Sequence, residues 1–253
     1  MAGQIHFSPK LNSAYMDYVL NPPENNPKSL VPLLEGMIKQ AGRQWLAKQV
    51  VAEIEINSDF FPYFRQSGFS VLAKQQVFKC RSCRDEQPST SKKWRTWNCE
   101  DIPAIRSLYL SLVPPLIQHI EPLTHGKTLG LVYYDESHTL QAYADLVVGH
   151  QGIWVLPVIH PQIQENIANL LHQMLLELPH PNGRPIYIIS RSYQPWVENS
   201  LQNLSADPGP EQALMVHYLV MRQPVEAKYH FETIENGNPE PTIPLAPIKN
   251  LPE

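Results

Sequence analysis

The feature of this sequence that most constrains its fold is that it repeats itself at a nearly fixed offset. Val19-Leu20-Asn21-Pro22 returns as Val158-Ile159-His160-Pro161 after 139 residues, and Leu33-Leu34 returns as Leu170-Leu171 after 137. The turn Ser67-Gly68-Phe69 falls on Leu204-Ser205-Ala206 with that same offset of 137. Three landmarks whose spacings agree within two residues point to a duplication, so the element order of one copy is expected in the other.

The second copy reads more fully. Glu100-Asp101-Ile102-Pro103 opens a helix, with an acidic pair ahead of a proline in the first turn, where its missing N–H costs nothing. Ile105, Leu108, Tyr109, Leu112 and Val113 follow at helical spacing, and Pro114-Pro115 ends the helix or starts a short second one running to Ile120. Runs rich in β-formers at 129–134, 139–148 and 153–159 predict three strands separated by turns, the last stopped by His160-Pro161. Ile167, Leu170, Leu171, Met174, Leu175 and Leu178 predict an amphipathic helix ended by Pro179. A strand at 185–189, a helix at 195–204 and a strand at 213–220 complete the copy.

The first copy is shorter. Residues 4–8 and 14–20 predict a hairpin, 29–41 a helix, 49–56 a strand, 58–67 a helix capped by Asn57 or Ser58, and 70–79 a strand. It has no counterpart of the opening helical part of the second copy. The boundaries expected are therefore 1–80 for an incomplete first unit, 81–93 for a polar linker, 94–222 for the second unit and 223–253 for a tail. Proline is unusually frequent, 25 residues in all, and it crowds the tail, which is expected to run extended or disordered.

This order, with a chain stop after the third strand, resembles the GNAT superfamily of N-acetyltransferases. Ala52-Glu53, Asn57-Ser58, Phe60, Arg65 and Gly68-Phe69 look like the late strand, the following helix and the closing Gly-Phe turn of that family. Trp94-Arg95, Asp101, Ala104-Ile105 and Leu108-Tyr109 look like its entry strand and first helix. The resemblance spans roughly residues 4–222 and implies an α/β chain made of two GNAT-like mixed-sheet units, the N-terminal one incomplete.

It also implies acetyl-CoA as cofactor, held where two strands splay apart. The pantetheine arm would pair with the backbone of Val155, Leu156, Pro157 and Val158. The pyrophosphate would sit on the N-terminus of the next helix at Asn166, Ile167 and Ala168, where free N–H groups favour anions. The family's basic residue and glycines are absent there. Ile163 takes the basic position, Asn166 takes the central glycine with the left-handed backbone open to it, and Glu165 adds a negative charge. The first copy offers Pro22-Pro23-Glu24-Asn25-Asn26-Pro27-Lys28-Ser29, with no glycine and three prolines.

Acetyl transfer to an amine needs a base for the amine and an acid for the departing thiolate. The family's acid, a tyrosine in the last helix, falls on Leu201 and Phe64, so Tyr193 is the substitute. Asp145 and His160 are the candidate bases, with His150 a further one. Each has an ordinary reading beside it: Tyr193 as an interfacial aromatic, Asp145 on a solvated face, His160 as a helix-entry cap. His172 reads as a boundary position, and Trp154 and Trp196 as core.

Three cysteines, Cys80, Cys83 and Cys99, leave a zinc site one ligand short, so no metal is expected; they also suit a reducing, cytoplasmic compartment. A net charge of −4 without basic clusters gives no reason to expect nucleic acid, and no apolar run is long enough for a membrane span. The readings left open are an acetyltransferase acting on a small-molecule or peptide amine, a non-catalytic binding or scaffold protein of the same fold, and a homodimer that completes the first copy's sheet.

Overall fold

The computed structural model describes residues 2–20, 30–80, 94–123, 129–178, 184–204 and 206–219, all within a unit of Met1–Met221. The loop at Pro22–Ser29, the 81–93 linker with Cys83, Pro179 and the proline-rich tail lie outside the described residues.

The first copy contributes β1 (Ala2–Ser8), β2 (Ser13–Leu20), α1 (Leu30–Trp45), β3 (Gln49–Glu55), α2 (Phe61–Gln66) and β4 (Ser70–Cys80). The second contributes β5 (Trp94–Thr96), α3 (Ile102–Leu112), α4 (Pro115–Gln118), β6 (Gly130–Tyr134), β7 (Leu140–Val148) and β8 (Ile153–Ile159). It continues with α5 (Ile167–Glu177), β9 (Ile186–Arg191), α6 (Pro195–Asn203) and β10 (Asp207–Tyr218).

The strand order is consistent with the repeat, but the two copies do not form separate sheets. All ten strands form one sheet in the order β1-β2-β3-β10-β4-β9-β8-β7-β6-β5. The two copies exchange their last strands: β10 lies between β3 and β4, and β4 lies between β10 and β9. Outward from the β10–β4 contact the order is β3, β2, β1 on one side and β9, β8, β7 on the other, with β2–β3 and β8–β9 both parallel. That arrangement is a pseudo-twofold. Side-chain pairs mark its centre, Gln75 Nε2 donating to Gln212 Oε1 at 2.7 Å across 137 residues and Arg191 meeting Glu53 at 3.5 Å across 138.

Alternation within the strands sorts the core into two faces. The back face takes α1 and α2 over the first copy, with Leu30, Leu34, Ile38, Phe64 and Phe69 in one cluster. It takes α5 and α6 over the second, with Leu170, Leu171, Met174, Val197 and Leu201 in another. The front face is covered by α3 and α4 through Tyr109, Val113, Ile117 and Ile120, which pack on Val51, Leu214 and Val216. Among the described residues the first copy places no helix on the front.

Two local expectations are corrected. The helix at 58–67 starts only at Phe61; its N-cap is Phe60 without a side-chain bond, and Ser58 Oγ accepts instead from Phe60 N at 3.1 Å, a local turn that competes with the helix. After it, Gly68 takes φ +86°, which a side chain would strain. The last strand begins at Asp207, six residues early, and includes Pro208, Gly209 and Pro210. A bulge between Pro208 and Glu211 absorbs the missing donors.

The entry to α3 is held by charge. Asn98 and Asp101 form a capping box, Asp101 accepts both forks of Arg95 at 2.6 and 2.8 Å, and Tyr134 Oη donates to it at 2.7 Å. Arg95 first, then Tyr134 and the Asn98 amide, hold the Asp101 carboxyl well below the usual carboxylate range. A depressed folded-state value stabilises above the unfolded value and is lost as pH falls through and below the carboxylate range. Asp101→Asn is therefore expected to cost roughly 1–2 kcal/mol at neutral pH. Thermal melts from pH 7 to pH 2.5 should show the gap to the parent closing; a gap that stays constant with pH would contradict the charge-based account.

Candidate functional site

β8 and β9 pair in parallel only over Ile153↔Ile186, Trp154↔Tyr187 and Val155↔Ile188. Beyond Val155 the strands diverge, and the backbone of 156–159 turns its edge to a gap. Gln194 occupies that gap. Its Nε2 donates to Pro157 O at 3.0 Å, its Oε1 accepts from Ile159 N at 2.9 Å, and only 2% of the residue is exposed. Trp196 Nε1 adds a bond to Ile159 O at 3.0 Å. Pro195 opens α6 and Gln194 N bonds to Arg191 O at 2.8 Å, so the turn after β9 aims the amide inward. Sequence reasoning missed Gln194, because nothing in the neighbouring residues reports a divergence of strands elsewhere in the chain.

The start of α5 is likewise occupied from within. Asn166 has φ −66° and ψ 118°, an extended N-cap and not the left-handed backbone its comparison with glycine called for. Its side chain accepts from Ala168 N at 2.9 Å and Asn169 N at 3.3 Å, which uses the donors an anion would need.

Of the three candidate catalytic residues, Asp145 lines the front-face trough described below, and His160 and Tyr193 are not among its lining residues. His160 Nδ1 accepts from Gln162 N at 3.3 Å, the behaviour of a turn cap. Tyr193 packs against the front-face core, where burial first and the Glu121 charge second push its hydroxyl above the usual phenol range. Asp145 is only 3% exposed and accepts from Tyr143 Oη at 3.0 Å. Burial, then the charge of Asp145, raises Tyr143 too. Cys80 is buried and Cys99 exposed; among the described residues no three His, Cys, Asp or Glu side chains group as metal ligands. His150 carries no bond that bears on a site.

The front face carries a trough of about 620 Å³ whose lining runs from β1 to β7 and draws on both copies. In its middle Arg191, 3% exposed at its side chain, pairs with the buried Glu121 and shares Nη2 with Glu53, whose side chain is 48% exposed. The segment that brings in Glu121 is fixed from both copies: Tyr15 Oη donates to Ile120 O, Gln49 Nε2 to His119 O at 2.9 Å, and Tyr109 Oη to Glu121 O at 3.1 Å. Burial pushes the Tyr15 hydroxyl up to about 12.

At the first-copy end, His6 Nδ1 meets Asp17 Oδ1 at 2.6 Å and stacks on Tyr15. Parallel pairing of β2 with β3 ends at Tyr15↔Val51. Met16 and Ala52, whose side chains belong to the back layer, line the trough as well, so it reaches into this second divergence. At the other end stand Asp145, Val147 and Trp154. Trp154 is 42% exposed and stacks on Tyr187 at 5.1 Å, which corrects its reading as core, whereas Trp196 packs against the back-face core. Alternation alone would have found Trp154, since it faces opposite to Ile153 and Val155.

No family model matches the chain, and no curated protein matches it in sequence. Solved structures do match. A functionally unknown conserved protein from Staphylococcus epidermidis superposes with a TM-score of 0.62 at 11% identity, over 86% of this chain and 91% of that one. A GCN5-related N-acetyltransferase from Sphaerobacter thermophilus gives 0.57 at 13% identity, over 85% and 76%. N-myristoyltransferase from Saccharomyces cerevisiae, solved with bound myristoyl-CoA, gives 0.51 at 9% identity, over 81% and 62%. At such identities the likeness is one of fold.

Proposed function

We propose that this chain, which has the fold of the GNAT superfamily, is an amine-binding protein whose second copy does not hold acetyl-CoA. The observation behind this is the Gln194 amide on Pro157 O and Ile159 N. Pro157 O lies in the stretch a pantetheine arm would use and Ile159 N adjoins it, and a buried side chain already satisfies both. Asn166 does the same to Ala168 N, one of the N–H groups that would take pyrophosphate, and to Asn169 N beside it. A ligand would have to displace bonds worth about 1 kcal/mol each before making its own.

The trough supplies the ligand class. Four carboxylates line it, from Asp17, Glu53, Glu121 and Asp145, against the guanidinium of Arg191 and the imidazole of His6, which meets Asp17. A cleft of one dominant sign concentrates counter-ions, here ammonium groups. No helix of the described residues is long and apolar enough to cross a membrane.

Calorimetry with acetyl-CoA tests the reading. The parent protein is expected to give no binding heat up to about 1 mM ligand. Gln194→Ala should lose roughly 1–3 kcal/mol of stability, because two backbone groups lose their partners, and should bind CoA weakly. Micromolar binding by the parent would overturn the proposal. It would favour the second reading, acetyl transfer to the amine, which the retained divergence of β8 from β9 supports.

A further inference from the structure

We propose that the outer edge of β1 is where two molecules of this chain meet. β1 of one pairs antiparallel with β1 of the other, so that the two sheets run on as one. Pairing at this edge is independent of whether the trough takes an amine.

The pseudo-twofold gives the first reason. β1 and β7 hold corresponding places: Tyr15 stands between His6 and Val51 in its row, as Trp154 stands between Val147 and Tyr187. Beyond β7 the sheet continues, with β6 antiparallel from Gly130↔Asp145 to Tyr134↔Leu140. Beyond β1, among the described residues, no strand follows. The edge of β7 is therefore filled by an antiparallel strand, and the equivalent edge of β1 presents its unpaired N–H and C=O groups to the same kind of partner.

The chemistry of the two sheet ends gives the second. β5 is only three residues long and carries the exposed Arg95, two features that discourage pairing at an edge. β1 has seven residues and contains no Lys, Arg, Asp, Glu or Pro; Pro9 and Lys10 come only in the turn after it. Its register with β2 slips between Gln4 and Ile5, but the extra residue, Asp17, belongs to β2, so the bulge does not interrupt β1. A twofold axis through Ile5 pairs all seven residues and is self-complementary. On the back face, where Ile5 and Phe7 pack, Ile5 meets Ile5 and Phe7 meets Gly3, a ring opposite a residue without a side chain. On the front face Gln4 meets His6 and Ala2 meets Ser8, so no rung sets like charges against each other.

The test is sedimentation equilibrium on the full chain at low ionic strength, where charge effects are least screened. The parent is expected to form a dimer whose population rises with concentration. Two double variants then read the register. Gln4→Lys with His6→Lys puts Lys opposite Lys at both Gln4–His6 rungs and should weaken the dimer at least about tenfold. Gln4→Glu with His6→Lys puts Glu opposite Lys at the same rungs and should associate at least as tightly as the parent. Both positions are exposed within one molecule, both variants leave a cation beside Asp17, and circular dichroism checks that each folds. A parent that stays monomeric up to about 100 μM overturns the proposal. So does a Lys/Lys variant that dimerises like the parent. If both variants weaken the dimer equally, the Gln4–His6 rungs are refuted and the antiparallel pairing with them.

Discussion

Cut between residues 80 and 94 and produced as two polypeptides, the two copies are expected to show no cooperative unfolding apart and to recover it when produced together. β3 and β4 do not touch in the sheet; β10 of the second copy joins them, pairing with β3 over Gln212–Tyr218 and with β4 from Asp207 to Val216. The first piece alone would leave two separated groups of strands beneath α1 and α2. The second alone would leave β9 without β4 and β10 without either neighbour. Against a total stability of about 5–15 kcal/mol for an ordinary domain, loss of a central strand from each side removes the whole margin. Circular dichroism melts of each piece, and of the co-expressed pair, measure this. If residues 94–219 alone melt within a few degrees of the full chain, strand exchange does not hold the fold together.

Arg191→Met is expected to be the most damaging single substitution at the site. It removes the guanidinium from Glu121, which is 6% exposed, and breaking one side of a buried pair costs about 3–5 kcal/mol. The damage should extend across the copies, because Glu121 follows the segment that Tyr15 and Gln49 hold. The double variant Arg191→Met with Glu121→Leu should recover much of the loss, since an apolar pair of similar volume suits the interior. Chemical denaturation gives both values. If the single and the double variant lose the same stability, the pair is not what the substitution broke.

Elements with a strong local period were legible from the residues. The amphipathic series Ile167, Leu170, Leu171, Met174 and Leu175 is α5, and its buried members are those the spacing named. The acidic pair ahead of Pro103 is the start of α3, and the runs at 129–134, 139–148 and 153–159 are β6, β7 and β8. The site was much less legible. Asp145 was named and lines the trough, yet Arg191, Glu121 and Gln194 were not. Their partners lie 70, 138, 35 and 37 residues away, and no motif joins such distant positions.

The sequence by itself determined the duplication, the order of elements and which face of most of them is apolar, because side-chain periodicity acts between neighbours in the chain. Only the tertiary structure decided where each copy's last strand goes. β4 and β10 hold corresponding places in the two copies, their starts 137 residues apart, and which half each completes falls to whole-sheet pairing. The same holds for the two gaps. Parallel strands diverge in both copies, but only the folded chain reveals that Gln194 fills one and that the other opens into an acidic trough, since both outcomes depend on side chains brought together from distant segments.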